Sequence, residues 1–239
     1  MKTLRLLPIA LSLLFCIPLF AQIDGSPRQY ENTSQLFQNL RKVINSKEKT
    51  PYEIDWNNVK GSPYLEQNYK LGQFFVGDKS YGNVMMRLNT YTDEIELMPI
   101  DGEEVGALMK IDNSRLTYGN KTLELLSYKD EDGKVQQGYF LVLNTSNNVK
   151  LLLRKKCVFS PNEKALTANQ ADRAAKFTQY DYYYILKEGT PVMVSPKKKA
   201  IVKLFPDKKN EIKGYIKSEK LKLKNQEDFA KLVDYIASL

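Results

Sequence analysis

The chain has 239 residues, of which 42% are apolar and 27% are charged. That apolar fraction excludes low-complexity disorder, and the low glycine and proline counts exclude a collagen-like repeat. The chain contains no histidine, which excludes Ser-His-Asp and Cys-His nucleophiles and any His-containing zinc site. Its two cysteines exclude a disulfide scaffold and a Cys-rich metal or iron–sulfur site. We therefore expect no metal and no cofactor, and we assign no catalytic residue.

Residues 1–21 read as a signal peptide. Lys2 and Arg5 supply the charged start, an apolar run follows, and Ala21 is a small residue at the expected cleavage point before Gln22. The apolar run contains two prolines and is marginal for a membrane span. We expect an exported protein with no transmembrane span in its mature chain, located in the periplasm or on the outer membrane or cell surface.

The excess positive charge lies in the C-terminal segment. Residues 195–239 contain 12 Lys and 6 acidic residues, whereas residues 22–194 contain 22 basic and 22 acidic ones. Such asymmetry fits contact with a lipid headgroup, an envelope polysaccharide or an acidic protein, and the alternative is a solvated lysine coat. Nucleic acid is not expected, because no base-reading motif is present. The candidate anionic-partner patch consists of Lys197, Lys198, Lys199, Lys208 and Lys209.

The mature chain reads as α+β and mainly β. Apolar spacing predicts an N-terminal helix over residues 35–44. After Pro51, short alternating runs separated by turn signals predict an antiparallel meander of about eight to ten strands. We expect it to curl into a half-barrel or a barrel-like sheet. A charged hairpin tip is predicted over Lys129–Lys134, and a long loop or short helix over residues 160–176.

The remaining segment, residues 195–239, predicts a basic three-helix tail packed on or next to the β domain of residues 22–194. Ser195 is the expected cap of the first helix, Asp207 of the second and Asn225 of the third. The predicted buried stripe of the last helix consists of Phe229, Leu232, Val233 and Ile236.

Tyrosines supply the candidate ligand face. Tyr180, Tyr182 and Tyr184 alternate along one strand and so share one face, and the single Trp56 could act in the same way. Cross-strand tyrosine packing is the alternative interpretation. Cys157, the only thiol left after cleavage, alternates with apolar residues, which predicts a buried, inert thiol rather than a reactive one.

Carboxylates are the remaining route to catalysis. Glu94 and Glu96, next to Asp93, share one face of a strand, as a glycosidase pair would require. The same alternation arises on an ordinary solvated strand. Asp130–Gly133 superficially resembles a calcium loop, but the alternating ligands and terminal Glu are missing.

Several stretches are similar to uncharacterised exported proteins of Bacteroidota. They include Gly61-Ser62-Pro63-Tyr64-Leu65, residues 91–96, and the tail from Leu204 to Tyr235. The resemblance covers nearly the whole mature chain. It implies secretion and one coherent architecture, and it brings no activity.

These observations favour a non-enzymatic envelope interaction protein that holds a partner protein or an anionic envelope component. The first alternative is a carrier of an apolar or amphiphilic ligand inside the curved sheet. The second is a carboxylate-dependent hydrolase.

Overall fold

The computed structural model describes residues 44–46, 54–55, 58–98, 106–144, 146, 148–165, 167, 169 and 171–239. The signal peptide with its Ala21–Gln22 junction, most of the expected N-terminal helix, and Trp56 lie outside the described residues. Ile44, expected to end that helix, instead begins a strand.

Within the described residues, eleven strands form one antiparallel sheet. The sheet order is β1-β5-β4-β3-β2-β6-β7-β8-β9-β10-β11. The strands are β1 (Ile44–Ser46), β2 (Lys70–Val76), β3 (Lys79–Asn89), β4 (Glu94–Leu97), β5 (Gly106–Leu108), β6 (Ser114–Tyr118), β7 (Lys121–Lys129), β8 (Val135–Val142), β9 (Lys150–Ser160), β10 (Lys176–Leu186) and β11 (Val192–Met193).

The predicted meander is confirmed within two runs of strands, β2 to β5 and β6 to β11, in which each strand pairs with the next. It does not account for the pairing of β2 with β6 or of β1 with β5. Turn residues specify local hairpins, whereas the β2–β6 pairing joins strands that are distant in sequence. Of the two expected shapes, a closed barrel is excluded for the described sheet, because β1 and β11 remain its free edges.

The sheet is nevertheless bent. Lys110 and Asp112 follow β5, yet they contact Gln137 on β8, on the far side of five intervening strands. Lys110 Nζ lies 3.4 Å from the Gln137 carbonyl oxygen, and Gln137 Nε2 donates to Asp112 Oδ1 at 2.5 Å. These links are made by side chains, so they bring the two regions together without extending the backbone ladder.

The bend buries one face of β2 to β9, which we call the inner face. Side chains on it alternate with outward ones, as strand geometry requires. Phe74, Met86, Leu116 and Leu123 are fully buried there. The inner-face core consists of Phe74, Val84, Met86, Leu88, Ile95, Leu97, Leu108, Leu116, Tyr118, Leu123, Leu125, Tyr139, Leu141 and Leu153.

The sheet splits between β8 and β9. These strands pair only at Leu141 with Leu153 and at Val142 with Leu152. Beyond that point the β3–β4 turn lies between them. Thr90 O accepts from the Cys157 amide at 2.9 Å, and Asp93 Oδ1 accepts from the Tyr139 amide at 3.4 Å.

The C-terminal segment folds as α1 (Lys198–Leu204), a 3-10 turn (Pro206–Lys208), α2 (Lys209–Ser218) and α3 (Gln226–Ser238). The helices pack against Leu151 and Ile185 on the inner face of β9 and β10. Asp234 on α3 accepts hydrogen bonds from Asn144 Nδ2 at 2.9 Å and from the Ser146 amide at 3.1 Å. The tail therefore packs against the sheet through an apolar core and through hydrogen bonds.

One of the three predicted caps is confirmed. The Asn225 side chain accepts from the Asp228 amide at 3.0 Å, and the predicted stripe of α3 is buried. Ser195 is not a cap, because α1 begins at Lys198 after an extended Lys197 that makes no side-chain cap bond. Asp207 does not cap α2 either, because it lies inside the 3-10 turn.

Gly72 provides a test of the pairing between β2 and β6. A Cβ there would lie 2.4 Å from Thr117 O on β6 and 3.1 Å from the Met86 side chain. We expect Gly72→Ala to lower the free energy of unfolding by about 1–3 kcal/mol, because the backbone oxygen cannot give way without distorting the β2–β6 ladder.

Gly214→Ala in α2 is the matched control, measured by urea unfolding. Nothing lies within 4 Å of its Cβ position, so we expect stabilisation by about 0.5–1 kcal/mol. Equal stability of Gly72→Ala and wild type would contradict the described pairing.

Candidate functional site

The candidate tyrosines of β10, which are Tyr180, Tyr182 and Tyr184, point to the outer face, opposite the helices. Across the β9–β10 pairing, Tyr182 lies beside Arg154 and Tyr180 beside Lys156. Exposure changes along the strand, since Tyr184 is 2% exposed and Tyr180 is 48% exposed. The structure thus presents both a buried and an accessible tyrosine on the predicted face.

Tyr184 belongs to an outer-face aromatic cluster with Tyr128 and Phe140. The centroid distances are 5.4 Å for Tyr128–Phe140, 5.7 Å for Tyr128–Tyr184 and 5.1 Å for Phe140–Tyr184, all edge-to-face. This geometry is favoured by the ring quadrupoles. The rings come from β7, β8 and β10, so cross-strand packing accounts for Tyr184, as the alternative interpretation proposed.

An open cleft of about 90 Å³ lies over this cluster. Tyrosines and a methionine form its apolar surface, and charged residues of both signs surround them. We call it the outer-face cleft. Its lining residues are Tyr128, Asp130, Glu131, Asp132, Arg154, Lys156, Tyr182, Tyr184 and Met193.

The β7–β8 hairpin tip forms the acidic wall of the cleft. Asp130 Oδ1 accepts from the amides of Asp132 at 3.0 Å and Lys134 at 2.8 Å, and Oδ2 accepts from Gln136 Nε2 at 3.1 Å. This carboxylate is therefore used to shape the turn. Across the described part of the chain, no three carboxylate or thiol groups converge to hold a metal ion.

Arg154 forms the opposite side of the cleft. Its side chain is 12% exposed, Nη2 lies 3.5 Å from Asp93 Oδ2, and its guanidinium carbon lies 4.9 Å from the Tyr128 ring centre. Gly138 makes room for it, because a Cβ there would lie 2.8 Å from Nε. Nε is buried and has no hydrogen-bond partner among the described residues.

The sequence alone did not identify Arg154 as a candidate site residue. Two features of the sequence could have indicated the cleft. Arg154 lies opposite Tyr182 in a long hairpin, and β8 contains a glycine, Gly138. Recognising it required the β9–β10 register, which periodicity does not provide.

The tail lysines form the second candidate surface. Lys197, Lys198, Lys199 and Lys209 are exposed, whereas Lys208 Nζ lies 3.2 Å from the Ile236 carbonyl oxygen at the end of α3. Lys208 thus has a structural role at a helix C-terminus. Within the described residues, none of the 12 tail lysines forms an ion pair with a carboxylate.

The candidate catalytic carboxylates lie in buried positions. Glu96 is fully buried and receives hydrogen bonds from Arg87 Nε at 2.9 Å and Asn89 Nδ2 at 2.9 Å. The Arg87 guanidinium in turn stacks on the Tyr64 ring at 3.6 Å. Glu94 is 9% exposed. The two side chains therefore do not form the solvent-accessible pair that a sugar hydrolase requires.

Cys157 is buried, as predicted, at 3% exposure. Its Sγ lies 3.7 Å from the Ser62 carbonyl oxygen. Burial raises the pKa of this thiol, which disfavours the reactive thiolate. Side chains from eight strands form the buried core of the inner face.

In comparisons with protein families, curated proteins and solved structures, the chain matches none of them. No helix in the described ranges is long and apolar enough to cross a bilayer.

Buried tyrosines predict loss of stability at alkaline pH. Burial raises the pKa of Tyr184 to about 12 and that of Tyr118 also to about 12, whereas a tyrosine in the unfolded chain ionises near pH 10. The contribution of these two raised pKa values to the free energy of unfolding is complete below about pH 10 and is lost as the pH rises towards 12. We expect the free energy of unfolding, measured in urea, to fall across this interval.

Tyr184→Phe keeps the ring and removes the ionising group, so its stability should fall less steeply with pH than that of wild type. Tyr180→Phe, on the same strand face, is the control. An unchanged pH slope in Tyr184→Phe would show that Tyr184 does not contribute in this way.

Proposed function

We propose that this protein is a non-enzymatic envelope protein whose basic helical tail holds an anionic envelope component. The observation that carries the proposal is the 12 tail lysines, none paired with a carboxylate in the described structure. Lysines outside the tail do find such partners, for example Lys121 with Glu66 at 2.6 Å and Lys150 with Glu124 at 2.6 Å. Apart from that of Lys208, which contacts the Ile236 carbonyl oxygen, the tail ammonium groups remain available for an external anion.

Packing of the tail on the sheet supports the proposal. Ile201, Ile212, Phe229 and Leu232 are fully buried beneath the charged surface. The lysines are therefore presented on a folded support, so binding need not order a flexible segment first. Positive charges near an anionic surface attract it through Coulomb forces that salt screens over about 10 Å.

The setting in the envelope is part of the proposal. It follows from the signal-peptide pattern of residues 1–21 and from the resemblance to exported Bacteroidota proteins. A periplasmic or an outer-membrane-associated location would place the tail near anionic lipid headgroups and polysaccharides.

The carrier and hydrolase alternatives receive less support. On the inner face, where an apolar ligand was expected, described side chains such as Phe74 and Leu123 are fully buried in a common core. Glu96, one of the two candidate catalytic carboxylates, is fully buried in its contact with Arg87. A binding role for the exposed tail lysines accounts for more of the structure than either alternative.

Charge reversal tests the proposal. We expect the variant Lys197→Glu, Lys198→Glu, Lys199→Glu and Lys209→Glu to bind vesicles containing phosphatidylglycerol at least about 100-fold more weakly than wild type, since each lysine near such a surface contributes about 1 kcal/mol. Lys208 is left intact because of its contact with α3. Co-sedimentation at low salt measures the binding, and beads coated with an anionic polysaccharide distinguish a glycan from a lipid.

The matched control makes the same charge change outside the tail, at exposed Lys79, Lys164, Lys176 and Lys187. We expect it to retain most of the binding. Equal loss in both variants would show that only net charge matters, and unchanged binding of the tail variant would refute the proposal.

A further inference from the structure

The outer-face cleft is lined both by groups that donate hydrogen bonds and by groups that accept them. Arg154 lines it as a donor, and within the described residues its buried Nε has no hydrogen-bond partner, while its guanidinium is held by the Asp93 ion pair and the Tyr128 ring. Buried donors normally find a partner, and leaving one without a partner is unfavourable. The position of Arg154 therefore suits a ligand that accepts hydrogen bonds.

Acceptors face these donors from the other wall. Glu131 and Asp132 lie on the hairpin tip, which Asp130 holds in shape. The pKa of Tyr182 is raised by burial and by the neighbouring Glu131 carboxylate, which places its hydroxyl beside that acid. The wall thus offers carboxylate oxygens to a ligand that donates hydrogen bonds.

The balance of charge selects against a simple ion. The lining contains Asp130, Glu131 and Asp132 but also Arg154 and Lys156. An anion would meet the acidic tip, and an ammonium group would meet the two basic residues. A hydroxyl group is both donor and acceptor, so a neutral ligand with several hydroxyls can satisfy both walls at once.

The apolar surface of the cleft completes the match. Tyr182 presents aromatic area above the buried Tyr184, and Met193, 40% exposed, flanks Tyr184 across the β10–β11 pairing. Sugars combine hydroxyl groups with apolar C–H surface, and aromatic side chains can pack against the latter. Such a combination of an apolar wall with a few placed polar groups is typical of small-molecule sites.

We propose that the outer-face cleft binds a neutral sugar residue, with Arg154 and Asp132 as opposing hydrogen-bonding groups and Tyr182 as the packing surface. The volume of about 90 Å³ admits part of one sugar unit, and the open mouth lets a longer glycan continue into solvent. Tyr180, 48% exposed and next along the strand face, extends the surface for a neighbouring unit. This site is separate from the tail lysines.

An array of immobilised neutral oligosaccharides ending in glucose, galactose, mannose or N-acetylglucosamine tests the proposal. We expect at least one of these probes to bind wild type, and Arg154→Met to weaken that binding at least tenfold. Asp132→Asn, at the hairpin tip, should weaken it about fivefold while leaving the fold intact. Arg115→Met is the matched control, because Arg115 also stacks on a ring, 4.2 Å from Phe75, but does not line the cleft.

Two further results discriminate between interpretations. Binding of a neutral sugar should change little between low and high salt and should survive the tail charge reversal, so failure of the tail proposal does not affect this one. Absence of binding to every neutral probe would overturn the inference. So would tighter binding of galacturonic acid or inorganic phosphate, or equal loss in Arg154→Met and Arg115→Met.

Discussion

The carboxylate of Asp93 connects separate parts of the sheet, and the rest of the structure depends on this connection. It lies in the β3–β4 turn with a left-handed backbone, φ 57°. Its oxygens contact Lys110 Nζ at 2.9 Å, Arg154 Nη2 at 3.5 Å and the Tyr139 amide at 3.4 Å. These partners lie after β5, on β9 and on β8, so one side chain joins regions far apart in the strand order.

This junction explains why the sheet bends and splits without closing. Where β8 and β9 separate, the inserted turn supplies hydrogen-bond acceptors to Tyr139 and Cys157 that a neighbouring strand would otherwise provide. The same carboxylate orients Arg154 over Gly138 towards the outer-face cleft. The arrangement has a cost, because the Tyr139 hydroxyl is buried with no hydrogen-bond partner in the described structure, and burial raises its pKa.

Features decided by neighbouring residues could be predicted from the sequence. The β7–β8 hairpin tip, the burial of Cys157 and the Asn225 cap followed from turn residues, alternation and capping chemistry. Features decided by distant pairing could not. The β2–β6 ladder, the burial of Glu96 beneath Tyr64 and the position of Arg154 all require knowledge of which strands meet. Ser195 looked like a cap because serine before proline often is one, but α1 begins only at Lys198, after an extended Lys197.

Residue-resolved amide hydrogen exchange tests the central role of the Asp93 junction most directly. Glycine at position 93 would keep the left-handed turn and remove the carboxylate. The account predicts that in Asp93→Gly the amides of Tyr139 and Cys157 exchange at least about tenfold faster than in wild type, while those of β2 and β6 keep their rates. Unchanged exchange at Tyr139 and Cys157, or the same acceleration in every strand, would contradict it.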